Sequence, residues 1–139
     1  MNKKLILEQI KLRSMNTLVD NLGIEITDID DCNVYGKMPV DKRTLQPFGL
    51  LHGGASVALA ETLGSLGGGL QINHETHSVM GIEINSSHLR SVTKGWVYGK
   101  ACSIKIGKKI QVWEISIKDQ QNKIISISRL TLAVVKNNR

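Results

Sequence analysis

Between His52 and His74 a single charged residue, Glu61, interrupts the run HGGASVALAETLGSLGGGL. An ionised carboxylate in an apolar setting is costly unless it is paired, hydrogen-bonded or neutralised, and carboxylates so placed gather where chemistry is done. On a helix, Ala58, Glu61 and Ser65 stand at i, i+3 and i+7 with Thr62 beside them, so one stripe carries a carboxylate and hydroxyls among small residues. Upstream, His52-Gly53-Gly54 falls where that helix must begin. Unpaired N–H groups and the positive dipole end favour an anion or a developing oxyanion there, and a glycine at 53 lets a ligand come close. The same residues also admit a purely structural reading. Glu61 would then face solvent or answer a basic side chain, while His52 and the glycines serve the turn.

Spacing separates the two halves of this candidate site. Glu61 is eight residues on from Gly53, which at 1.5 Å per residue is about 12 Å along one helix. One reacting carbonyl cannot touch both in the same chain. A site that uses both must join the helix start of one subunit to the helix middle of another, as two antiparallel helices across a two-fold axis would do twice. The spacing therefore predicts a homodimer as a condition of activity.

The elements that must hold these residues follow from the pattern around them. A short basic helix is expected over 3–12, then a second capped by Ser14, with Met15, Leu18, Val19 and Leu22 on one stripe and Gly23 as its stop; together they make residues 1–21 peripheral. Strands are expected over 24–30 and 33–40 around the turn-prone segment from Asp30 to Asn33. After a loop from Asp41 to Leu51 comes the long central helix. Segments 78–90, 95–105, 109–118 and 123–135 are rich in Ile and Val and are split by turn signals, which predicts an antiparallel meander. The central helix is thin, with Gly54, Gly64, Gly67, Gly68 and Gly69 among its small residues. Glycine costs about 1 kcal/mol relative to alanine inside a helix, so close approach of a surrounding sheet is the expected compensation. The fold class is α+β: an antiparallel sheet curled around one long, nearly all-buried helix.

Composition bounds the remaining possibilities. The chain has 139 residues, 41% of them apolar and 22% charged, as expected of one globular domain over 1–139. No apolar stretch reaches the roughly 18 residues of a spanning helix, and the amino terminus lacks the pattern of a secretory signal, so the expected location is cytoplasmic and no membrane partner is expected. Cys32 and Cys102 lie in no metal-binding spacing and read as free thiols of a reducing compartment. The net charge of +6 belongs to the second half: residues 61–139 carry eleven basic and five acidic side chains, whereas residues 1–60 carry seven of each. That asymmetry suits a phosphorylated small molecule or a solvated basic surface. Nucleic acid is not expected, because the five aromatics follow no nucleic-acid motif. His74-Glu75-Thr76-His77 is one residue short of the HExxH zinc pattern, and the helix glycines form neither a dinucleotide fingerprint nor a phosphate-binding loop. No metal and no cofactor are expected.

The segment MPVDKRTLQPFGLLHGGASVALAETLGSLGGGL, followed by VMGIEINSSHLRSV and IQVWEISI, resembles the hotdog-fold acyl-CoA thioesterases of the 4-hydroxybenzoyl-CoA thioesterase type that use a mid-helix glutamate. Within that group it is most similar to enzymes that include the 1,4-dihydroxy-2-naphthoyl-CoA thioesterases of menaquinone synthesis and the enterobactin-pathway proofreading thioesterases. The resemblance runs from about Leu22 to Val135. It implies hydrolysis of an acyl-CoA, with Glu61 as nucleophile or as general base on a water and the Gly53 N–H as oxyanion donor. It further implies that Gln46 and His52 position the carbonyl or water and that Ser65 assists binding. Coenzyme A contacts would come from Ser87, His88 and Arg90 and from the turn Gly107, Lys108 and Lys109. A homotetramer built from pairs of dimers is implied as well. A hotdog hydratase or dehydratase, or a non-catalytic acyl-CoA binding module, are the alternatives. The acyl pocket is expected at the dimer seam, formed by Leu50, Leu51, Leu63 and Leu66.

Overall fold

The computed structural model describes residues 2–138. Helix α1 spans Lys3–Ser14 and a single turn, α2, spans Leu18–Asn21; then come strands β1 (Glu25–Ile29) and β2 (Asn33–Val40), the long helix α3 (Gly53–Leu70), and strands β3 (His77–His88), β4 (Gly95–Ile106), β5 (Ile110–Lys118) and β6 (Ile124–Lys136). The six strands form one antiparallel sheet in the order β1-β2-β4-β5-β6-β3. No helix of the described residues is long and apolar enough to cross a membrane.

Three expectations require correction. The meander holds for β4, β5 and β6 only, because β3 crosses over to pair with β6 and ends as an edge strand. Ser14 closes α1 instead of capping α2, with its hydroxyl donating to the Ile10 carbonyl at 2.8 Å. Asn16 then takes φ 62°, a left-handed conformation that breaks the predicted helix, and α2 restarts after Thr17. Met15 and Leu18 are left exposed, while Val19 and Leu22 are half-buried. Finally, α3 is buried on one side only. Ala55, Ser56, Leu59, Ala60, Leu63, Gly64, Gly67 and Gly68 face the sheet, and the opposite stripe with Glu61, Thr62 and Ser65 is half-exposed.

The sheet wraps α3 so closely that glycines are required on both surfaces. A Cβ on Gly64 would lie 2.6 Å from a Leu130 methyl, and one on Gly67 2.7 Å from the Trp113 ring. In the other direction, Leu63 fills a hollow between Gly36 of β2 and Gly99 of β4, where added Cβ atoms would meet its methyls at 2.7 and 2.6 Å. Full burial of such a leucine contributes about 1.5–3 kcal/mol. Leu63 is therefore a core residue with no exposed surface, not part of an acyl pocket. At the far end of the helix, buried Gln111 donates to the Gly68 carbonyl and accepts from the Trp113 indole at 2.9 Å, so the polar groups there are paired.

Candidate active site

The loop from Asp41 to His52 delivers the chain to the start of α3, and its own hydrogen bonds set its shape. The Thr44 hydroxyl, buried, donates to the Pro39 carbonyl at 2.7 Å, and the Thr44 carbonyl accepts from His52 N–H at 2.8 Å. Arg43 clamps the Asp41 carboxylate from side chain and backbone, which holds its pKa down to about 2. Further on, Gln46-Pro47-Phe48-Gly49 forms a tight turn in which Gly49 N–H donates to the Gln46 carbonyl at 2.9 Å with φ +80°. The Gln46 side-chain oxygen accepts from Phe48 N–H, so its amide NH₂ is the part left for other partners.

The first turn of α3 leaves one donor open. His52 is the N-cap residue: its Nδ1 accepts from Gly54 N–H at 2.8 Å, and its carbonyl accepts from Ala55 and Ser56 at 3.0 and 3.2 Å. The Gly53 N–H takes no acceptor among the described residues. Three of the four orphan donors of the helix start are thus satisfied internally, and the fourth is Gly53. His52 is committed to the cap through Nδ1, which fixes its neutral tautomer with the proton on Nε2.

A cleft of about 460 Å³ opens at this helix start, lined by Gln46, Leu50, Leu51, Gly53, Ser56, His88, Leu89, Arg90, Ser91 and Ile125. Two hydrogen bonds hold its far wall in place: Leu51 N–H to the Val92 carbonyl at 2.8 Å and Leu89 N–H to the Ile125 carbonyl at 2.7 Å. The His88 ring lies against Gly53, with Nε2 only 3.1 Å from where a Cβ on Gly53 would stand. The parity of β3 accounts for this. Ile84, Ser86 and His88 pair with the buried residues Leu130, Ser128 and Ser126 of β6 on the helix side of the sheet. Ser87 pairs with exposed Ile127 and points the other way.

The remaining predicted residues lie elsewhere in the chain. Glu61 stands in the middle of α3 under Gly81 of β3; a Cβ on Gly81 would be 3.9 Å from its Oε2. Among the described residues the Glu61 carboxylate makes no hydrogen bond or ion pair, and Ser65 lies one turn further on the same half-exposed stripe. The turn of Gly107, Lys108 and Lys109 is at the opposite end of the sheet from His88. Ser126 pairs with His88 and Ala133 with Ile110, and the seven residue steps between them along β6 span about 23 Å. A larger groove of about 1130 Å³ between α1 and β1 contains none of the predicted site residues. Sequence reading missed Ser56, Leu89, Ser91 and Ile125 as cleft residues. Ser56 follows Gly53 by three, a spacing that places it on the same side of the helix start.

The match to known proteins agrees with this architecture. Residues 48–126 match the family model described as the thioesterase superfamily. The chain is 47% identical over 133 residues to the proofreading thioesterase EntH of Cronobacter turicensis, covering 96% of each. A solved thioesterase of Haemophilus influenzae superposes with a TM-score of 0.92 at 47% identity, covering 96% of this chain and 92% of that one. A mutant thioesterase from Pseudomonas aeruginosa does so with the same TM-score at 43% identity, covering 94% of each. With Gly53 and Glu61 carried on one helix inside this sheet, the chain belongs to the thioesterase superfamily and is a hotdog-fold thioester hydrolase.

Proposed function

We propose that the protein hydrolyses acyl-CoA thioesters to carboxylate and coenzyme A, in sites shared between two copies of the chain. The observation that carries this reading is the split between the open Gly53 N–H and the unpaired Glu61 carboxylate. They are eight residues apart on one continuous helix, about 12 Å, with Glu61 beside the free edge of β3. That edge strand is 12 residues long and carries exposed Met80 and Ile82, a template for pairing with a second β3. Antiparallel pairing across a two-fold axis sets the Glu61 of each copy toward the helix start of the other.

In such a site the thioester carbonyl accepts a hydrogen bond from Gly53 N–H, which stabilises the oxyanion as the carbon becomes tetrahedral. Glu61 of the second copy attacks that carbon or takes a proton from the water that does. The Gln46 amide and Ser65 hydroxyl orient the water. Arg90, in the cleft, grips phosphate in a forked geometry, and Lys108 and Lys109 add point charges from a neighbouring copy, since their own turn is at the wrong end of the sheet. Leu50 and Leu51 line the acyl side. The reaction needs no metal or cofactor in this scheme, and two such dimers make the tetramer.

The test is thiol release from benzoyl-, dihydroxynaphthoyl- and fatty acyl-CoAs, beside Glu61→Gln and a second, impaired variant, Gly53→Ala. Glu61→Gln alone is expected to lose activity about 10³-fold or more and Gly53→Ala roughly 10–100-fold. Re-assorted in equal amounts, half the dimers are mixed and each holds one intact site of two, so about one quarter of wild-type activity should return. No turnover of any acyl-CoA by the wild type would sink the assignment, and enoyl-CoA hydration without thiol release would indicate a hydratase. Failure of complementation between two folded variants would remove the shared site.

A further inference from the structure

The position of His88 fits one end of the substrate and not the other. Its ring packs on Gly53, with Nε2 at 3.1 Å and Cε1 at 3.3 Å from a Cβ built there. A thioester oxygen bound by Gly53 N–H sits about 2.9 Å from that nitrogen. The sulfur is bonded to the same carbonyl carbon, so it falls within a few ångströms of the ring. The pyrophosphate of coenzyme A lies at the far end of the pantetheine arm, roughly 14 Å away if that peptide-like arm is extended. A ring held against Gly53 therefore meets the sulfur, and Arg90, two residues on, is the group placed for phosphate.

The surroundings of His88 include an acceptor with nothing to accept. Ser126 stands directly across the β3–β6 ladder from His88, is fully buried, and its Oγ is the buried side-chain oxygen without a partner among the described residues. Directly opposed residues have Cβ atoms about 4.5–5.5 Å apart, so the two side chains are neighbours across the ladder, although no hydrogen bond joins them in this structure. An imidazolium has two N–H groups to place. With substrate bound, one would face the thioester, and a small rotation of the ring or the hydroxyl would bring the other to the unpartnered Ser126 Oγ.

We propose that the His88 imidazolium is the proton donor to the departing coenzyme A sulfur; this rests on the reading of Gly53 as oxyanion donor. As the tetrahedral centre collapses, the C–S bond breaks, its electron pair goes to sulfur, and the Nε2 proton passes to that sulfur, leaving neutral imidazole. The carbonyl re-forms as carboxylic acid where water attacked, or as a mixed anhydride where Glu61 attacked, which a water then opens. The proton liberated from that water restores the imidazolium.

Three thioesters of one acyl group test the proposal. They are the coenzyme A ester, the N-acetylcysteamine ester, which lacks phosphates, and the thiophenyl ester, whose thiolate leaves without help. His88→Gln is expected to lower kcat about 10²-fold on the first two, within the usual range for a proton donor, and to leave the third near wild type. A loss on the coenzyme A ester that disappears with N-acetylcysteamine would make His88 a phosphate contact and overturn the proposal. An equal loss on all three esters, thiophenyl included, would overturn it in favour of a role in shaping the oxyanion site. Thermal unfolding of His88→Gln should match the wild type, because the side chain is exposed. A wild type inert toward all three would instead remove the thioesterase reading on which the proposal stands.

Discussion

The Trp113 ring lies directly on Gly67, with ring carbons 2.7 Å from where a Cβ would be. Trp113 is fully buried and its indole N–H is held by Gln111, so it cannot step aside cheaply. Gly67→Ala should therefore destabilise the protein by about 1–3 kcal/mol through overpacking, even though alanine is the better helix former. Two positions on, a Cβ at Gly69 meets nothing nearer than the His74 ring at 3.7 Å. Gly69→Ala should be neutral or stabilising by up to about 1 kcal/mol. Urea unfolding of the two variants reads the contrast; equal effects would mean that the sheet does not press on the helix as described.

At the helix start, His52 has a cap to maintain. His52→Ala removes the acceptor for Gly54 N–H and should cost about 1 kcal/mol, whereas His52→Asn supplies another cap oxygen and should retain most of the stability. Denaturant midpoints measure both. A folded His52→Asn with a large loss of kcat would show that the imidazole acts on substrate as well as on the cap.

Gly53→Ala is expected to separate activity from stability. The helical backbone accepts alanine, but its Cβ would press on His88 at 3.1 Å and crowd the open N–H. We expect kcat/KM to fall roughly 10–100-fold, which is about 1.4–2.7 kcal/mol of transition-state stabilisation, with little change in the unfolding midpoint. A large drop in stability with unaltered turnover per folded molecule would contradict the role given to this glycine.

Asp41 makes a pH-dependent contribution. Its carboxylate is held at about 2 against an ordinary 3.8 by Arg43, so the folded state favours the ionised form. The associated stability is fully present above about pH 4 and is lost as the pH falls toward 2. The pair is partly exposed, with 44% and 41% of the Arg43 and Asp41 side chains accessible, so the effect is at most about 1 kcal/mol. Asp41→Asn should lower stability at neutral pH by up to that amount and flatten the acid limb between pH 4 and 2. Unfolding curves at several pH values check it.

Much of the fold was legible along the chain. Runs of Ile and Val cut by Lys94-Gly95, Ile106-Gly107-Lys108 and Asp119 to Asn122 placed β3 to β6 within two residues at each end, because period-two patterning and turn residues act locally. The glycines of α3 foretold close packing, although not which ring or methyl each would meet. What misled was also local: Ser14 has the chemistry of a cap but spends its hydroxyl on Ile10, and the left-handed Asn16 broke the stripe. The pairing of β3 with β6 was out of reach, since strand order depends on crossovers that no local signal encodes.

By itself the sequence determined the residue types of the candidate site and one distance within it. A carboxylate, a glycine-led helix start and an eight-residue step between them follow from the letters and from helix geometry. Only the tertiary structure decided which of those groups share a cleft. Gln46, Gly53, His88 and Arg90 meet there because β3 returns beside β6 and ends over the start of α3, whereas Ser87 turns to the other face and the turn of Gly107 to Lys109 lies about 23 Å away. The reason is physical: a strand's side-chain parity and its place in the sheet are set by pairing partners distant in sequence, and only folding brings those partners together.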